Sequence, residues 1–168
     1  GNVQVQVGSV DISGINSGFV QIIAEVLSID PSKVEIIQSD SHAGPVAPPS
    51  GGSQVTYSLA GAISGATSNV KDQLAKLAAE HFEAAEQDLV FEDGSVHING
   101  LPSKAISLAK LAKQAESRKG GAGPVIATSS NSIQENAPAV AVHAVKVEVD
   151  RETGKVSPKN YIAVQDVG

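Results

Sequence analysis

Two glycine-punctuated turns carry the residues best suited to chemistry in this chain. The first runs through Gly8, Ser9, Val10, Asp11, Ile12, Ser13, Gly14, Ile15, Asn16, Ser17 and Gly18 to Phe19. An alternating strand (Val3, Val5, Val7) feeds it, and an amphipathic helix follows at once. Free N–H groups at a helix start, at the positive end of the helix dipole, favour an anion. Glycine lets a ligand approach the main chain. The second turn, Gly51-Gly52-Ser53-Gln54, also opens a helix, and Ser53 can cap it while leaving the Gly51 and Gly52 N–H groups to a ligand. The chemistry on offer is the holding of a phosphate or cofactor. The plain alternative is a pair of ordinary strand–helix connections, the first capped by Asn16 or Ser17.

Other polar residues offer less. His42 lies in the loop before the second turn, where it can touch a ligand. His81 falls near the end of a helix, at the surface or in packing, and His97 on a hairpin strand, where exposure is expected. His143 is in phase with Val145 and Val147, as a hydrogen-bonded core histidine would be. No His pair has the spacing of metal ligands on a helix, so no protein-held metal is expected. Asp11 and Asp40 end strands beside glycine turns, where capping is their expected work. No nucleophile, base and orienting group can be assembled, and no catalytic residue is assigned.

The elements that must position the two turns follow from periodicity. Residues 2–12 read as a strand with a phase shift at Gly8-Ser9, as at a bulge. Residues 17–28 read as a helix with Phe19, Ile22, Ile23, Val26 and Leu27 on one face, and Lys33 to Ser39 as a second strand. Residues 40–53 form a long Pro/Gly/Ser loop, the kind usually kept for function. A helix from Gln54 to Ala84 keeps Leu59, Ile63, Ala66, Val70, Leu74, Leu77, Ala78 and Phe82 in phase. Gly61 and Gly65, one turn apart, predict close approach of a neighbour to its first half. Asp93-Gly94 centres a hairpin over Asp88 to Asn99. Ser103 is the expected cap of a helix from Lys104 to Glu116. Ala139 to Val149 reads as a long strand, apolar on both faces in its first half and so central, with Lys155 to Val164 as its antiparallel partner. The expected organisation is a unit over 1–116, a linker or excursion over 117–137, and strands over 138–168 that return to the same domain.

Composition bounds the rest. The chain has 168 residues, 3% aromatic, with no Cys, Met or Trp, so its core must be built from Val, Ile, Leu and Ala. Without Cys there is no disulfide, thiolate metal site or iron–sulfur ligand, which fits a reducing compartment such as the cytoplasm. A net charge of −6 without a basic tract argues against nucleic acid, and no apolar run approaches a membrane span. A start at Gly1 without Met, and a strand that stops at Gly168, read as a piece of a longer protein.

In order, the motifs are Val10-Asp11-Ile12-Ser13-Gly14 leading to Gln21 through Leu27, then Val34-Glu35-Ile36 with Ser39-Asp40, then Gly51-Gly52-Ser53-Gln54-Val55-Thr56. The set closes with His143 through Gly154 and Val164-Gln165-Asp166-Val167-Gly168. This ordered set, across nearly the whole chain, resembles the molybdenum-cofactor-binding large subunit of the xanthine dehydrogenase and aldehyde oxidase family. The resemblance implies an oxidoreductase that hydroxylates aldehydes or aromatic heterocycles with oxygen from water, its molybdenum held by molybdopterin and not by side chains. In that family the turn after the first strand is often Gly-Gln-Gly and touches the pterin or its phosphate. Here Ser13, Gly14, Ile15 and Asn16 stand there, so only backbone contacts carry over. Gly51, Gly52, Ser53 and Gln54 match a second segment that approaches the cofactor. The family's general-base glutamate lies beyond the point matching Gly168.

The expected fold is α+β: a two-layer arrangement of mixed or antiparallel sheet with helices on one face, like a molybdenum-cofactor-binding domain. The expected partners are the remainder of the large subunit, iron–sulfur and flavin modules, and a small aldehyde or heterocycle. Nucleic acid and membrane are not expected, and exposed apolar surface leaves homo-oligomers open. Alone, the chain is expected to be catalytically inert and empty of cofactor. Two rivals stand beside this: a non-catalytic binding or scaffold module of the same fold, and an unrelated phosphate-binding domain.

Overall fold

The computed structural model describes residues 2–38, 40, 42–117, 123–133 and 139–166. It divides into two compact units, 1–133 and 134–168. The class is α+β, and among the described residues the strands form three small sheets.

In the first unit, β1 (Val3–Val7) pairs in parallel with β2 (Val34–Gln38), Val3 opposite Val34 and Val7 opposite Gln38. Val3, Val5 and Val7 face the core while Gln4 and Gln6 are exposed, as a period of two dictates. Parallel neighbours need a crossover, and α1 (Ile15–Leu27) supplies it. Phe19, Ile23 and Leu27 are spaced by four and fully buried, each contributing about 1.5–3 kcal/mol of apolar burial. Ser28, with φ of 53°, ends the helix by donating to the Ala24 and Glu25 carbonyls. Asp30 then caps a 3-10 turn at Pro31–Lys33, accepting from the Ser32 N–H at 2.8 Å.

The long helix α2 (Val55–Phe82) packs along α1. Its 28 residues span about 42 Å. Ile63, Leu74 and Ala78 are buried, and Leu59, Val70, Leu77 and Phe82 pack against the same core. The glycine pair does what its spacing predicts. A Cβ at Gly61 would stand 2.6 Å from the Asn131 amide nitrogen, and one at Gly65 2.7 Å from Ser129 Oγ. The neighbour is the described part of the supposed linker: residues 123–133 lie against α2, with Gln73 Nε2 donating to the Ile126 carbonyl at 2.9 Å and Val125 packed on the core.

The hairpin of β3 (Leu89–Glu92) and β4 (Ser95–Ile98) turns at Asp93 and Gly94, with φ of 47° and 71°, the left-handed pair that an Asp-Gly hairpin requires. A third strand, β5 (Ile106–Ser107), pairs with β4 and precedes α3 (Leu108–Ser117). The expected Ser103 cap is displaced. Ser103 lies in a 3-10 turn, Pro102–Lys104, and the Ser107 hydroxyl accepts from the Lys110 N–H at 3.3 Å. Burial of Ile106 against β4 holds residues 106–107 in a strand.

Two further expectations are corrected. The strand predicted over 2–12 ends at Val7, because β2 ends opposite it at Gln38. Val10 and Ile12 are about half exposed in the loop that follows. α1 begins at Ile15 behind Gly14, before the Asn16 or Ser17 cap that was expected.

The second unit is a hairpin of β6 (Val140–Val149) and β7 (Val156–Asp166), with a bulge between Lys146 and Val147. Asp150 ties its turn, accepting from the Glu152 and Thr153 N–H groups at 2.8 and 3.0 Å. Among the described residues β6 pairs only with β7, so its apolar composition does not make it central here, and Val142, Val164 and Ile162 are exposed.

Candidate functional site

Parallel strands deliver the chain to the same edge. Val7 and Gln38 are register partners at the ends of β1 and β2, so the 8–14 turn and the 40–54 loop both start there, and each leads into a helix. In sheets of this kind ligands bind outside the carboxyl ends of the strands, where helix N-termini open.

Four contacts knit the loops together. A Cβ on Gly8 would overlap the Pro45 carbonyl, so only glycine allows this backbone approach. Gln6 Nε2 donates to the Ala43 carbonyl at 3.2 Å. Gln38 Nε2 donates to the Ser9 carbonyl at 2.9 Å and lies 3.2 Å from Asn16 Oδ1. Asp40 folds the start of the second loop by accepting from the His42 N–H at 2.8 Å.

Each helix is preceded by two left-handed residues: Ser13 and Gly14 (φ 60° and 73°) before α1, Gly52 and Ser53 (φ 60° and 58°) before α2. The starts differ. At α1, Asp11 Oδ1 accepts from the Asn16 N–H at 3.2 Å, and the Ser17 N–H is held by the Gly14 carbonyl. Asp11 therefore does the capping expected of it and fills part of the α1 seat with a carboxylate. At α2 the cap position belongs to Gln54, not Ser53, and no side chain bonds there. Its first-turn N–H groups are the more open anion seat. Gly51 adds a second sign. Its Cβ would meet nothing within 4 Å, and its φ does not demand glycine, so the main chain there is open to a ligand. Ser9 is 3% exposed and its hydroxyl has no hydrogen-bond partner among the described residues.

Of the eight residues expected at the site, Ser13, Gly14, Ile15 and Asn16 thus lie on one loop and Gly51, Gly52, Ser53 and Gln54 on the other, both leaving one sheet edge. Sequence reasoning missed Gln38, Ser9 and the Gly8–Pro45 approach. Gln38 had a signal, since it is polar yet in phase with Val34 and Ile36.

Of the histidines, His42 alone lies on one of the two loops. His97 is buried, against expectation, with Nδ1 2.9 Å from the Ile98 carbonyl and Nε2 3.6 Å from Glu92. His143 is exposed on the hairpin of the second unit and bonds the Tyr161 hydroxyl at 2.6 Å. No group of three His, Cys, Asp or Glu side chains gathers among the described residues. A cleft of about 800 Å³ lies at the far end of α1, lined by Glu25, Asp30, Glu92 and Asp93 among others. Its acidity and the helix C-terminus disfavour an anion there. No described helix is long and apolar enough to cross a membrane.

A family model described as molybdopterin cofactor-binding domain matches residues 1–168. Among curated proteins, the chain is 28% identical to the nicotine 6-hydroxylase large subunit of Paenarthrobacter nicotinovorans, over 96% of this chain and 21% of that one. It is 30% identical to subunit gamma of the 6-hydroxypseudooxynicotine dehydrogenase complex of the same organism, over 92% of this chain and 20% of that one. Among solved structures, quinoline 2-oxidoreductase from Pseudomonas putida 86 aligns with a TM-score of 0.75 at 28% identity, over 96% of this chain and 21% of that one. The CO dehydrogenase of Oligotropha carboxidovorans shares the fold, with a TM-score of 0.78 at 22% identity, over 96% of this chain and 20% of that one. The chain spans about a fifth of the length of the curated relatives it matches.

Proposed function

Since this chain belongs to the molybdopterin cofactor-binding domain family, we propose that its two glycine-opened loops form one wall of the cofactor site in a molybdenum hydroxylase. The observation that carries this is the shared edge: both loops leave the ends of one parallel strand pair and are tied together by Gly8, Gln6 and Gln38.

The residues present fit such a group. The uncapped start of α2 suits its phosphate, and Gly51 leaves room where a side chain would stand. Asp11 at α1 is an acceptor, suited to the amino and amide edge of a pterin better than to a phosphate. When bound, molybdopterin supplies the redox centre that moves oxygen from water to a substrate carbon. This chain's own part is binding and orientation. Gly51, Gly52 and the first turn of α2 hold the anionic end, Ser13 to Asn16 line the other loop, and Gln38 keeps that loop in place. No residue here is assigned to move a proton, and the general base belongs to another segment of the parent protein.

The nicotine and quinoline in the relatives' names favour an aromatic heterocycle over an aldehyde as substrate. The partners in this reading are the rest of a large subunit with iron–sulfur and flavin modules. Residues 134–168 belong to the same cofactor-binding domain, in keeping with one family match over 1–168, and the location is the cytoplasm. A second reading, a scaffold module that no longer carries cofactor, draws on Asp11 in the α1 seat and on the absence of glutamine from the turn Ser13 to Asn16.

The chain alone holds only part of the site. Titration with molybdopterin is expected to give weak binding and no hydroxylation of a heterocycle. Tight, stoichiometric binding would show that this wall is a complete site.

A further inference from the structure

The geometry points to Asn16 as a hydrogen-bond donor to the ligand, with its side-chain amide turned to that task by Gln38; this rests on the cofactor-site reading above. The Ser9 carbonyl can only accept a hydrogen bond. Gln38 must therefore present Nε2 to it, at 2.9 Å. The same Nε2 faces the Asn16 side chain at 3.2 Å. A donor there requires an acceptor opposite, so Asn16 turns Oδ1 toward Gln38 and Nδ2 away. A backbone carbonyl thus fixes two amide orientations in series.

The remaining groups of the residue narrow its role. The Asn16 backbone N–H is already held by Asp11 Oδ1 at 3.2 Å, which leaves the two N–H groups of Nδ2 for a ligand. Asn16 lies in the first turn of α1, two residues past Gly14, whose missing side chain leaves open space. Asn16 thus offers a carboxamide held by a strand residue and not by its own turn. Its target is an accepting oxygen, on a phosphate or on a ring carbonyl. Gln38 touches no ligand in this scheme and is a positioning residue.

The test is an NMR titration of the isotopically labelled chain, following the Asn16 side-chain NH2 pair and the backbone amides of Ile15 and Val55. One arm uses inorganic pyrophosphate and the other free pterin, which separates phosphate oxygen from ring carbonyl. The Asn16 NH2 pair is expected to shift with at least one probe. Gln38→Met should weaken that probe by about threefold to tenfold, the worth of one oriented hydrogen bond. Gln38→Lys keeps an N–H donor and should restore the Asn16 response, which a purely structural role would not require. If Ile15 or Val55 responds while the Asn16 NH2 pair does not, or if Gln38→Met binds as tightly, the inference is wrong and the cofactor site stands. The probes are taken to millimolar concentration, where weak binding is still visible; if none of these groups responds to either probe there, the cofactor-site reading falls and the inference falls with it.

Discussion

At the scale of single residues, the loop edge is set by a few atoms with no slack. Gly8 meets the Pro45 carbonyl so closely that one methyl group must move a loop. Gly8→Ala is expected to destabilise the chain by about 1–3 kcal/mol, the usual cost of overpacking, measured by chemical denaturation. Ser9 behaves oppositely, because its buried hydroxyl has no hydrogen-bond partner among the described residues. Ser9→Ala should leave the free chain unchanged or up to about 1 kcal/mol more stable, since it removes a desolvated group that bonds nothing. The turn carboxylates give a pH signature. Thr153 and Glu152 N–H groups on Asp150, and the Ser32 side chain and N–H beside Asp30, hold both carboxyls below the ordinary 3.8. A lowered native value means that the stabilisation is complete above 3.8 and is lost as the pH falls through the still lower native value. Protection of the Glu152 and Thr153 amides, taken as exchange relative to the intrinsic rate, should therefore hold above pH 3.8 and fall below it.

At the scale of elements, α2 is built around its contact with residues 123–133. Alanine at Gly61 or Gly65 meets only the movable ends of Asn131 and Ser129. The gain in helix propensity of about 1 kcal/mol roughly offsets that shift, so Gly61→Ala should be close to neutral. Leucine at both positions cannot be accommodated so cheaply. The double variant should release the segment, read as faster proteolysis within 123–133. This contact shows where sequence was legible. The spacing of Gly61 and Gly65 announced a close neighbour, but not which one, because an extended chain without periodicity leaves no signature. Helix faces and the Asp93-Gly94 hairpin were legible because each follows from local pattern and turn chemistry. The end of β1 was not, since it depends on where its partner β2 stops. Ser107 displaced Ser103 as a cap because pairing to β4 claimed residues 106–107 first. Both glycine turns of the candidate site were legible, whereas the ties between them were not. Gln38, Ala43 and Pro45 become neighbours of the first loop only when the strands pair.

At the scale of the molecule, a parallel strand pair brings two distant loops to one edge, and the family match extends over 1–168. The chain covers about a fifth of the length of its curated relatives. Gly51 tests the central claim most directly, because a Cβ there meets no atom within 4 Å outside its chain neighbours. Gly51→Val should leave the fold intact and fill only the open space that the proposed function assigns to the cofactor. The measurement is molybdenum per polypeptide in the complete protein, alongside thermal stability. The account predicts that molybdenum falls by roughly tenfold or more, equivalent to at least about 1.4 kcal/mol of binding, with stability unchanged. Full molybdenum occupancy in a folded Gly51→Val protein would contradict it.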